Sequence, residues 1–150
     1  MKCLTYERPD GGVSIVRPVY QNIREDETED GFLERIRAKD VPSDASNARI
    51  VDVADLPKDR TFRNAWRADL TVDMPKAREI HRDRLRAMRA PLLQALDVEY
   101  QKADERGDPT EKQRIAAKKQ GLRDATADPT IEAARTPEEL KAAVPEVLRP

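Results

Sequence analysis

The chain has 150 residues with 28 Lys plus Arg against 29 Asp plus Glu, so its net charge of −1 lacks the basic excess of a general nucleic-acid or anionic-membrane binder. Charged and hydrophobic residues each make up 38 %, mean hydropathy is −0.82, and no stretch approaches the ~20 apolar residues of a membrane span. The single cysteine, Cys3, can close no internal disulfide and is expected to be a reduced, half-buried strand residue.

The opening residues Met1-Lys2-Cys3-Leu4 carry no apolar run with a small-residue cleavage site, so no secretory signal is expected. Lys2–Glu7 and residues 13–20 set β-branched or aromatic side chains at alternate positions and are predicted strands. Arg8-Pro9-Asp10-Gly11-Gly12 between them is turn chemistry, because Pro fixes φ and the glycines permit positive φ. Pro18 predicts an edge position or an early end for the second strand. A helix is predicted over 28–39, with Thr28 as cap, Glu29 and Asp30 at its positive end, and Phe32, Leu33 and Ile36 as its apolar stripe. Residues 48–53 predict a third strand, and 70–73 are a candidate fourth. Residues 1–74 thus form a small α+β module whose helix covers one sheet face.

Residues 75–150 are predicted to be helical. Leu85, Met88, Leu92, Leu96, Tyr100 and Ala103 recur along one face of a helix over 75–106, ~48 Å long at 1.5 Å per residue. Pro91 removes a backbone hydrogen bond and predicts a kink or break near residues 89–91. Gly107-Asp108-Pro109-Thr110-Glu111 then places a helix stop and a capped helix start back to back. The second helix, over 109–126, carries Ile115, Leu122 and Ala125 on a narrow stripe, and the pair is predicted to fold as an antiparallel hairpin. Asp128-Pro129 and Thr136-Pro137-Glu138-Glu139 announce two short terminal helices.

Catalytic equipment is not visible. Around His81, Glu79 and Asp83 stand two residues away, and side chains at that helical spacing diverge, so no metal site forms and His81 is expected to be solvated. Gly11-Gly12 precedes a strand rather than a helix, which is no phosphate loop. A non-enzyme without cofactor or metal is expected. Residues 76–89 hold six basic residues against Glu79 and Asp83, and Arg78, Arg82, Arg86 and Arg89 are the candidate contacts for an anionic partner. Pairing of Glu79 with Arg82 and Asp83 with Arg86 is the plainer reading, and no aromatic residue interleaves the run, so nucleic acid is not expected there. Phe62 and Trp66 are either the anchor of the small core, the favoured reading, or an interface hot spot.

The segment Leu56-Pro57-Lys58-Asp59-Arg60-Thr61-Phe62-Arg63-Asn64-Ala65-Trp66, followed by Met74-Pro75-Lys76-Ala77-Arg78-Glu79-Ile80-His81-Arg82-Asp83-Arg84, resembles small structural and tail-associated proteins of tailed bacteriophages and prophages of alphaproteobacteria. Pro91-Leu92-Leu93, Leu122-Arg123-Asp124 and Thr136-Pro137-Glu138-Glu139-Leu140 resemble that group and tail-fibre-associated sequences as well. The resemblance spans most of the chain and carries over no functional residue. It implies a virion component, made in the host cytoplasm, with a structural or assembly role in the tail or fibre. A capsid accessory or cement protein shares the same features; a phage regulator that binds nucleic acid or inhibits host defence is the reading of another class.

The modest apolar supply, rich in alanine, suits slender helices that complete their core against other chains. The expected partners are therefore other virion proteins and further copies of this chain, with no membrane. The candidate interface residues are Phe62, Trp66, Leu85, Met88, Leu92, Leu96, Tyr100, Ile115 and Leu122.

Overall fold

The computed structural model describes residues 1–149. The fold is α+β: a three-stranded antiparallel sheet with one helix comes first, and helices follow. The chain divides into two compact units, Met1–Asp73 and the helical segment from Met74 onward.

In the first unit, strands β1 (Lys2–Glu7) and β2 (Val13–Val16) form the hairpin. Gly11 takes φ 75°, which a side chain would strain, and its N–H donates to the Arg8 carbonyl at 2.9 Å. β2 stops at Val16, before Pro18, whose ring nitrogen has no hydrogen to continue a ladder. β3 (Ser46–Asp52) pairs with the other edge of β1, giving the order β2-β1-β3. The candidate strand at 70–73 does not form. A tight turn occupies that stretch instead, with Leu70 N–H on the Arg67 carbonyl at 2.9 Å and Leu70 at φ 68°. A single bridge, Trp66 to Val72, is the only pairing left to it among the described residues.

Directly opposed residues share a sheet face. The register therefore puts Cys3, Thr5, Ile15 and Val51 on one face and Lys2, Leu4, Tyr6, Val16 and Ile50 on the other. Helix α1 (Glu29–Asp40) covers the second face: Lys2 Nζ reaches Asp30 at 2.8 Å, and Phe32 and Leu33 are fully buried. Removing each of those two side chains from water stabilises the unit by ~1.5–3 kcal/mol. The segment after β3 covers the first face, where Thr5 Oγ1 donates to the Ala68 carbonyl at 2.9 Å in a buried setting. Covered on both sides, β1 buries four successive residues, Cys3 to Tyr6. The Cys3 thiol is accordingly pushed up by burial.

Thr28 caps α1 by accepting from Gly31 N–H at 3.1 Å. Arg35 on that helix grips the incoming loop, with Nη2 2.6 Å and Nε 2.7 Å from the two Glu27 oxygens and Nη2 3.1 Å from the Asn22 carbonyl. This pairing, above all, lowers the Glu27 carboxyl to about 2.

The second unit is a helical hairpin with short helices folded back on it. Helix α2 (Met74–Glu105) runs through Pro91 without a break. Pro91 leaves the Ala87 carbonyl without its helical donor, but both residues lie on the exposed side, where water can serve it. Gly107, at φ 64°, ends the helix, and Asp108 accepts from Glu111 N–H at 2.9 Å to start α3 (Pro109–Asp124). Helix α4 (Pro129–Ala133) and helix α5 (Pro137–Ala142) are capped in the same way by Asp128 and Thr136. Among the described residues, no helix is long and apolar enough to cross a membrane.

Candidate interaction surface

On α2, Ala77, His81, Leu85, Met88, Leu92, Leu96, Tyr100 and Ala103 form one ridge at steps of three or four. Its two halves meet different surroundings. In the N-terminal half the short C-terminal helices supply cover, so Ala77 and Leu85 are fully buried and His81 is 5 % exposed. His81 is not the solvated residue its charged neighbours suggested. Its Nε2 lies 2.8 Å from the Ala143 carbonyl, which only accepts, so Nε2 carries the hydrogen.

The arginines beside this ridge tie the same cover down. Arg78 donates to the carbonyls of Ile131, at 3.2 Å, and Ala134, at 2.9 Å. Arg82 reaches the Thr126 carbonyl at 3.3 Å and pairs with both Glu79 and Glu132, the latter raising its pKa most. Arg89 holds the Arg123 carbonyl at 2.7 Å and the Leu122 carbonyl at 3.3 Å, at the negative end of α3. Arg86 pairs with Asp83 at 2.6 Å. The four side chains offered as contacts for an anionic partner are thus engaged inside the unit, three of them on backbone carbonyls far along the chain. Guanidinium groups suit that task because their fixed fork reaches several acceptors at once.

Just past Leu85 the cover is interrupted. Met88 is 42 % and Leu92 43 % exposed, one turn apart on the same ridge. Leu96 and Tyr100 are half-buried, Tyr100 beside lysines of α3. Lys112 and Lys119 bring their ammonium groups to 5.3 and 5.5 Å from the Tyr100 ring, and each also pairs across the hairpin, with Asp104 and Asp97. Ile115 is fully buried and Leu122 nearly so, and both are spent inside the hairpin.

Of the nine candidate interface residues, Met88 and Leu92 keep substantial open surface. Leu85, Ile115 and Leu122 are covered by this chain itself. So are Phe62 and Trp66, each 3 % exposed, which belong to the core of the first unit. Two exposed apolar residues of the second unit lie off the predicted ridge: Val98, 50 % exposed, and Val147, 43 %. Periodicity could not flag Val98, which sits on the far side of α2, and Val147 belongs to a three-residue turn too short to have a period.

Among the described residues, every buried side-chain nitrogen or oxygen has a hydrogen-bond partner, and no three His, Cys, Asp or Glu side chains are placed to hold a metal ion. The chain matches no known family profile, no curated protein sequence and no solved structure.

Proposed function

We propose that this chain is a non-enzymatic structural or assembly protein of a tailed-bacteriophage particle, tail- or fibre-associated, that docks onto other particle proteins and onto copies of itself. The observation that carries the docking half is the Met88–Leu92 step on α2, an i, i+4 apolar pair left open between the buried Leu85 and the half-buried Leu96. Apolar helix surface of that kind binds by burying its face in a groove or against a like helix. The particle half rests on the resemblance of residues 56–66 and 74–84 to phage tail-associated proteins.

The engagement of Arg78, Arg82 and Arg89 with backbone carbonyls weighs against a regulator that reads nucleic acid through this helix. A capsid accessory protein would use the same surface and differs only in its place on the particle.

Sedimentation velocity tests the docking surface. Wild type is expected to populate a dimer or larger species with rising concentration, and Leu92→Asp to remain monomeric with an unchanged circular-dichroism spectrum. Leu85→Asp, by contrast, is expected to unfold the helical unit, since a buried unpaired carboxylate costs several kcal/mol. A wild type that stays monomeric up to about 1 mM contradicts self-association.

A further inference from the structure

A cleft of 260 Å³ opens in the first unit, on the sheet face opposite α1. Ile15 of β2, Val53 just after β3, and Leu56 line it with apolar surface, and the nearly buried Trp66 closes it. Three cations stand at its rim: Arg17 past the end of β2, and Lys58 and Arg60 in the loop that crosses this face. No Asp or Glu lines it. Among the described residues, none of the three cationic side chains makes a hydrogen bond or a salt bridge, in a chain where many other arginines are paired. Of the carboxylates nearby in sequence, Asp52 accepts from Ala54 N–H at 2.9 Å and Asp59 from Thr61 N–H at 2.8 Å, and neither these two nor Asp55 lines the cleft. Three cations with no carboxylate among the lining residues make the cleft complementary to an anionic side chain.

We propose that this cleft is a docking site for an acidic segment of a partner protein, seating a glutamate or aspartate side chain among Arg17, Lys58 and Arg60 with an adjoining apolar residue on Ile15, Val53 and Leu56. At 260 Å³ the cleft has room for two side chains and lies below the ~300–1,000 Å³ of sites for whole small-molecule ligands. Nucleic acid fits less well: Trp66, at 3 % exposure, offers no ring for a base to stack on. The site is independent of the Met88–Leu92 surface and stands or falls without it.

Trp66 is the only tryptophan of the chain, so its fluorescence reports on the cleft directly. The full chain is titrated at low salt with the capped peptide acetyl-Leu-Glu-Glu-Leu-amide. A saturable change is expected, weakened at least about tenfold in Arg17→Glu/Lys58→Glu/Arg60→Glu and a few-fold in Arg60→Gln alone. All three side chains are exposed, so both variants are expected to keep the wild-type melting temperature. The proposal is overturned if no saturable change occurs or if the triple variant binds as well as wild type. Equal binding of acetyl-Leu-Gln-Gln-Leu-amide overturns it too, as does tighter binding of a short single-stranded thymidine oligonucleotide or of inorganic phosphate. Loss of self-association in Leu92→Asp leaves this titration unchanged, which separates the two surfaces.

Discussion

Gly107 and Gly121 show how the backbone conformation at a residue decides the sign of one substitution. Gly107 has φ 64° and open space around it, so an added methyl meets no atom but forces a left-handed conformation on an alanine. Gly107→Ala is expected to destabilise by ~1 kcal/mol in urea titration. Gly121 lies inside α3, and a methyl there would rest 4.0 Å from Val147 Cγ2, an ordinary contact. Gly121→Ala is expected to stabilise by ~0.5–1 kcal/mol through helix propensity. Glu27 gives the residue-scale prediction for pH. Its folded pKa of about 2 lies below the ordinary 4.5, so its ion pair contributes stability that is fully present above pH ~4.5 and is lost as pH falls from there toward ~2. Hydrogen exchange in residues 22–28 is expected to speed up through that window in wild type, and to be fast at every pH in Glu27→Gln. Protection that does not change with pH contradicts the assignment. Such local chemistry was legible from the sequence where both partners are near neighbours, as with Thr28, Asp108 and Thr136. His81 was misread because its partner, the Ala143 carbonyl, lies 62 residues further on.

Elements reveal what the arginines of α2 do. Arg78 is 19 % exposed in its side chain and serves two carbonyls on and just after α4. Arg78→Ala is expected to cost ~1–3 kcal/mol, because it leaves partly buried acceptors unpaired. Hydrogen exchange should rise in residues 128–143 while the distal hairpin keeps its protection; uniform loosening of the unit contradicts the role. The charge run was visible in the sequence, yet its use was not. Its periodicity shows which side chains share a face, but not that the chain returns to lay carbonyls beside them. Pro91 makes the complementary point. The residue type predicts a break, whereas the exposed side of a long helix tolerates the missing hydrogen bond. At 70–73 the alternation of Leu70 and Val72 suggested a strand, and the turn held by Asp69 on Thr71 N–H, at 3.0 Å, prevailed.

Across the whole molecule, the α+β character and the antiparallel hairpin were legible because caps, turn glycines and hydrophobic periods are short-range signals that agreed with one another. The open surface was only partly legible. Leu85 and Leu92 have the same periodicity, and only the folded-back C-terminal segments distinguish them by covering one and stopping short of the other. The cationic cleft was not legible, since Arg17, Lys58 and Arg60 come together through the sheet register and a loop path. On the proposed reading, both surfaces are contact sites for other proteins. Mass spectrometry of purified phage particles from cells that carry this gene, followed by localisation of the chain in a cryo-electron-microscopy map, tests that reading most directly. The proposal predicts that the chain co-purifies with particles and lies in the tail or fibre with α2, at Met88 and Leu92, against a neighbouring protein. Its complete absence from purified particles would contradict it.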